Sequence, residues 1–228
     1  MEKFVKTKIF FKLSNVLLPG SVLKNVDSKK VEALLQGLKK LEEKNRVELF
    51  VILGQKDDVA KKKLAESGLN RFFKKENIFC VTKDYIQDKA EFDRDRHLKA
   101  LEEDPHFRDD YFKVSILKKI AGIVFPADEI IFIGHDLLTD GFYLHEFVGV
   151  DVAFVKKALS ERNEKSGKVL KGLYYVDLDI NDFRKLLLGK KPKPDYRFLQ
   201  AHIYANLKKQ LFGDKLMDAI PKKFADFS

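Results

Sequence analysis

The chain reads as a three-layer α/β fold built on a parallel sheet. Short, almost wholly apolar runs alternate along it with stretches of helical periodicity. Those runs lack the polar alternation of a one-sided sheet, so both of their faces should be covered. With 45% hydrophobic residues over 228 positions there is apolar surface enough for one substantial core.

The elements follow in order. Lys8-Ile-Phe-Phe11 is the first strand. Asp27 is placed as an N-cap, and after it Val31, Leu34, Leu35, Leu38 and Leu41 recur every three or four residues, the signature of one helix face. Val47 to Leu53 is a buried strand interrupted only by Glu48. Asp57 and Asp58 open a second helix that Gly68 ends. Asn77 to Thr82 is a third strand, and Lys83 to Asp110 is charged enough to be surface helix and loops. Phe112 to Ala121 forms a helix closed by Gly122. Ile130 to Ile133 gives the fourth strand, Phe142 to Phe147 a short helix, and Val150 to Val155 and Gly172 to Val176 the last two strands. Asn181 to Leu188 is the final helix of the body. Residues 1–188 form the α/β core in this reading, and 189–228 a basic linker with a C-terminal helical extension. The linker follows from Pro192 and Pro194, which forbid a helix there. The extension follows from the stripe Tyr196, Leu199, Ile203, Leu207 and Leu211.

Charge narrows the function classes. Lys and Arg number 44 against 35 Asp and Glu, and from Arg184 onward the balance is 11 against 4. A nearly neutral body with a basic tail is not a protein wrapped in nucleic acid. The single cysteine, Cys80, excludes an internal disulfide and a Cys-rich zinc site. No run approaches the ~20 apolar residues of a spanning helix, and no signal-peptide pattern is visible, so a cytoplasmic protein without membrane contact is expected. No Gly-x-Gly-x-x-Gly or P-loop argues for a dinucleotide or nucleoside triphosphate. The five histidines lack ligand spacing, and His135-Asp136 follows a strand, so no metal site is expected.

In a parallel sheet the ligand crevice lies at the carboxyl ends of the strands. The residues to weigh are therefore Lys12 to Val16, Gly54 and Gln55, Gly134 to Asp140, and Asp177 to Asp179. Their order resembles the motifs of the haloacid dehalogenase superfamily. Ile9-Phe-Phe-Lys-Leu-Ser-Asn-Val-Leu-Leu-Pro-Gly20 is similar to its first motif, an apolar strand running into Asp-x-Asp-x-Thr. Phe50-Val-Ile-Leu-Gly-Gln55 is similar to the second. The segment Tyr111 to Gly122 resembles the one carrying the family's lysine, at Lys113, or at Lys118 in a shifted register. Glu129-Ile-Ile-Phe-Ile-Gly-His-Asp-Leu-Leu-Thr-Asp-Gly141 resembles the acidic fourth motif. The resemblance covers residues 8 to 188. It implies a Rossmann-like sheet, here without a large cap domain because only about forty residues separate the first two motifs.

The departures bear on chemistry. Lys12 and Ser14 stand where the family has its nucleophilic and acid/base aspartates, and Val16 where it has threonine. Gly54 replaces the second motif's hydroxyl, and His135 the leading acid of the fourth, leaving Asp136 and Asp140. An ammonium cannot form an acyl-phosphate, and two magnesium oxygens are lost. The expectation is thus a non-catalytic binding or interaction protein with a degenerate site and no cofactor. Lys12 would either pair with Asp136 or Asp140 in place of the metal, or hold an anion together with Lys113. The alternative is a divergent magnesium-dependent hydrolase of phosphate esters using Asp136, Asp140 or Asp177. Asp177-Leu-Asp179 imitates the missing signature but stands on the wrong strand. For the tail, docking onto protein (the body, a second copy or another partner) is expected ahead of RNA or ribosome contact, which its interleaved lysines and aromatics also suit.

Overall fold

The computed structural model of the chain describes residues 6–53, 57–80, 130–142, 144–145, 149–157, 172–201 and 203. Six strands, β1 (Thr7–Lys12), β2 (Val47–Leu53), β3 (Ile78–Cys80), β4 (Ile130–Gly134), β5 (Asp151–Val155) and β6 (Tyr174–Val176), pair in the order β3-β2-β1-β4-β5-β6. Every pairing is parallel. The runs are predominantly apolar because both faces of this sheet are covered.

Period-two alternation assigns each strand residue to one of two cores. Ile9, Phe11, Leu49, Val51, Ile131, Ile133, Ala153 and Val155 point to one face. There they meet α1 (Ser28–Glu43), α2 (Asp57–Glu66) and α3 (Ile180–Leu187) through Leu34, Leu35, Leu38, Leu64 and Phe183. Phe10, Phe50, Ile52, Phe132, Val152 and Phe154 point to the other, where Phe142, Leu144, Tyr196, Leu199 and Ile203 cover them. Phe10 and Phe50 stack at 4.4 Å on neighbouring strands.

Local chemistry sets the helix ends. The Asp27 carboxylate accepts hydrogen bonds from the Lys29 and Lys30 amides at the start of α1, and Asp179 does the same for Asn181 and Asp182 at α3. Leu188 closes α3 and Gly189 follows at φ 63, with the Lys190 amide donating to the Lys185 carbonyl, a Schellman turn.

Several expectations are corrected in extent. Of the third strand expected over Asn77 to Thr82, Ile78–Cys80 is strand, Asn77 belongs to the preceding 3-10 turn, and Val81 and Thr82 lie outside the described residues. The sixth begins at Tyr174 rather than Gly172, because Leu173 still belongs to the turn. The short helix placed at Phe142 is preceded by a π-helical turn, Leu137–Phe142, that apolar periodicity does not reveal. Segment 81–129, with the expected helix at Phe112 to Ala121, lies outside the described residues, as do Leu207 and Leu211. Between β1 and β2 the one helix is α1.

The order of strands fixes where a site can be. From β1 the chain steps outward to β2 and β3, then returns to the other side of β1 with β4. The direction of winding therefore switches between β1 and β4, and the crevice of such a sheet opens beyond their carboxyl ends.

Candidate functional site

β1 ends at Lys12, and the backbone stays in line for one more residue through the Leu13 amide, which donates to the Ile52 carbonyl at 2.9 Å. The chain then folds into a tight loop. The Leu17 and Leu18 amides both donate to the Leu13 carbonyl, and Asn15 is left-handed at φ 63, a conformation asparagine tolerates better than most residues. Asn15 is also buried. Its Oδ1 accepts the Val22 and Leu23 amides at 2.9 and 3.0 Å, so its NH2 group faces the other way, onto His135 Nε2 at 3.1 Å. Because Asn15 donates, Nε2 is the acceptor and the imidazole carries its hydrogen on Nδ1. That Nδ1 stands 3.3 Å from Asp140 Oδ2, close in distance though out of line for a hydrogen bond.

Asp140 is the centre of the cluster and is fully buried. Oδ2 accepts the His135 and Asp136 amides at 3.0 and 3.1 Å, and Lys12 Nζ donates to Oδ1 at 3.0 Å and Oδ2 at 3.2 Å. Two features bring this carboxylate back beneath the end of β4. In the π-helical turn the Gly141 amide reaches the Asp136 carbonyl five residues earlier, at 3.0 Å. Gly134 leaves room, since a Cβ there would lie 2.5 Å from Asp140 Cβ. Asp136 starts the turn, its Oδ1 accepting the Leu138 and Thr139 amides at 2.9 and 2.8 Å.

The structure thus brings Lys12, His135, Asp136 and Asp140 together at the β1–β4 switch point, with Lys12 donating to Asp140. Asn15, which lies within the stretch Lys12 to Val16 but has no role assigned from the sequence, holds the imidazole. The signal available for it was an asparagine in a loop opening directly after a strand. Ser14 is half-buried and bridges Leu18, while Val16 is fully buried in the core with the α1 face. Gly54, Lys113 and Lys118 lie outside the described residues. Asp177 and Asp179 sit apart: Lys156 donates to Asp177 at 2.8 Å, and Asp179 caps α3. Among the described residues no group of three His, Cys, Asp or Glu side chains is placed to hold a metal ion.

A groove of about 390 Å³ opens beside this cluster rather than on it, beyond the ends of β5 and β6. Leu23, Val26, Leu34 and Ile180 form its floor, and Asp27, Lys30, Lys157 and Asp179 its rim. The rim carboxylates already cap α1 and α3, so the two helix starts are closed by the chain's own side chains.

In comparison with known proteins the chain matches no family model, no curated relative and no solved structure.

Proposed function

We propose that the chain is a non-catalytic binding or interaction protein on a Rossmann-like sheet, a degenerate relative of the haloacid dehalogenase superfamily whose crevice is closed from within. The observation that supports this reading is the pair between Lys12 Nζ and Asp140. The cation sits at the end of the first strand, where a phosphoryl-transfer enzyme of that kind needs a carboxylate nucleophile. It neutralises the acidic end of the fourth, where such an enzyme coordinates magnesium. The other carboxylates that a rearranged hydrolase could recruit are engaged as well. Asp136 holds a turn and Asp177 holds Lys156.

The test is a panel of phosphate monoesters assayed with magnesium and with manganese, alongside thermal denaturation with and without each metal. Background turnover and an unshifted melting temperature are expected. Metal-dependent turnover that disappears in Asp140→Asn would replace this reading with that of a divergent hydrolase.

A further inference from the structure

We infer that the run from Arg184 to Phe198 is a docking surface for single-stranded nucleic acid, with its cations on the phosphates and Phe198 beneath a base. Six of its fifteen residues are Lys or Arg and one, Asp195, is acidic. Two of the six cations are engaged. Lys191 donates to Asp182 at 2.9 Å and to the Tyr175 carbonyl, and Arg197 is paired with Asp195. Arg184, Lys185, Lys190 and Lys193 are exposed. The Schellman turn sets Lys190 beside Lys185, its amide 2.9 Å from the Lys185 carbonyl, and Leu188 lies one turn on from Arg184.

A helix C-terminus attracts cations by itself, which accounts for Arg184, Lys185 and Lys190. It does not account for Lys193, out in the extended segment, or for the open apolar groups within the same run of residues. Leu188 and Phe198 are 62% and 54% exposed, two of the three large hydrophobic side chains left open among the described residues. Cations spaced along a chain with an accessible aromatic face match a single strand, which offers regularly spaced phosphates and a π-face on every base. A bilayer fits less well, because Tyr196, Leu199 and Ile203, the amphipathic face a membrane would need, are buried against the sheet. None of these side chains takes part in the Lys12–Asp140 cluster, and the inference stands independently of the reading given to that crevice.

The test is fluorescence anisotropy of a labelled oligouridylate titrated with the full chain at low and at physiological salt. Saturable binding that weakens as salt rises is expected. Lys185→Gln with Lys190→Gln and Lys193→Gln should weaken it about tenfold or more and flatten the log–log salt slope by about 2, near 0.7 per lost phosphate contact. Phe198→Ala should weaken it about fivefold or more without changing that slope. A control of equal charge loss, Lys29→Gln with Lys40→Gln and Lys63→Gln, should stay within about twofold of the parent. Equal losses in the two triple variants would show that net charge alone is at work and would overturn the proposal. So would absence of binding, or capture by phosphatidylserine vesicles with none by the oligonucleotide.

Discussion

Lys12 brings its ammonium to Asp140, a carboxylate with no exposure of its own that also accepts two backbone amides. Removing one partner of such a pair leaves the other desolvated, so Lys12→Ala should lower stability by about 1–3 kcal/mol, read from the urea midpoint at constant m. Asp140→Asn should also destabilise. The double variant should fall short of the sum of the two, the sign that the residues act through each other. Gly134 offers a second handle on the same group. A methyl group there meets Asp140 Cβ at 2.5 Å and its Oδ2 and Cγ at 2.8 and 2.9 Å, a buried carboxylate held by two amides and Lys12 rather than a flexible chain end. Gly134→Ala should therefore cost about 1–3 kcal/mol even though alanine suits a strand better than glycine. From the sequence, the resemblance of the β1 and β4 ends to haloacid dehalogenase motifs sets Lys12 opposite Asp136 or Asp140; in the structure the partner is Asp140, while Asp136 accepts the amides of its own turn. Asn15 was not legible. Its role depends on a left-handed backbone and on amides seven and eight residues ahead, and neither leaves a periodic trace.

At the scale of elements, capping and hydrophobic period carried most of the information. Asp27 and Asp179 each precede an apolar stripe and each accepts two amides, so the start of α1 was legible and that of α3 missed by one residue. The π-helical turn at Leu137–Phe142 was not, because it is defined by hydrogen bonds that reach one residue further than in an α-helix, as from the Gly141 amide to the Asp136 carbonyl. Asp179→Ala should destabilise by about 1 kcal/mol, as for other N-cap deletions. The same helix contains a pH-dependent anchor. Burial alone would raise the Asp182 carboxyl. The Lys191 ammonium, the Asp177 amide, and the charges of Lys191 and Lys156 outweigh that and hold it below its ordinary value. A depressed carboxyl adds stability above its unfolded pKa, about 4, and loses it as pH falls through the folded value. Lys191→Met should thus be less stable than the parent near neutrality. That gap in melting temperature should narrow as pH drops below about 4.

For the whole molecule, a parallel sheet with covered faces followed from the continuous apolar runs. What covers the second face did not, because an amphipathic stripe shows that a partner exists without saying which. The structure answers for three of its five positions. Tyr196, Leu199 and Ile203 lie in the core with Phe10, Phe132 and Phe154, so the chain beyond the proline linker is part of the body through Ile203. Polar contacts fix the direction of this strap. The Tyr196 hydroxyl accepts the Val152 amide at 2.9 Å and donates to Asp151 at 3.3 Å, and the Asp195 amide donates to the Gly172 carbonyl. Burial, opposed by the Val152 amide and reinforced by the Asp151 charge, pushes the Tyr196 hydroxyl far above its usual pKa, so it serves as a neutral donor and not as an acid. Leu199, wholly buried, packs over Gly141, where a Cβ would stand 3.2 Å from its Cδ2. Leu199→Ala should then cost about 2–5 kcal/mol, the range for truncating a leucine in a core that cannot close the gap. Phe198→Ala, one residue away on the open side, should change stability by less than about 0.5 kcal/mol. The contrast between neighbours separates a strap belonging to the core from a tail resting on it. Equal and small losses at both positions would mean that the sheet keeps its second face without the strap.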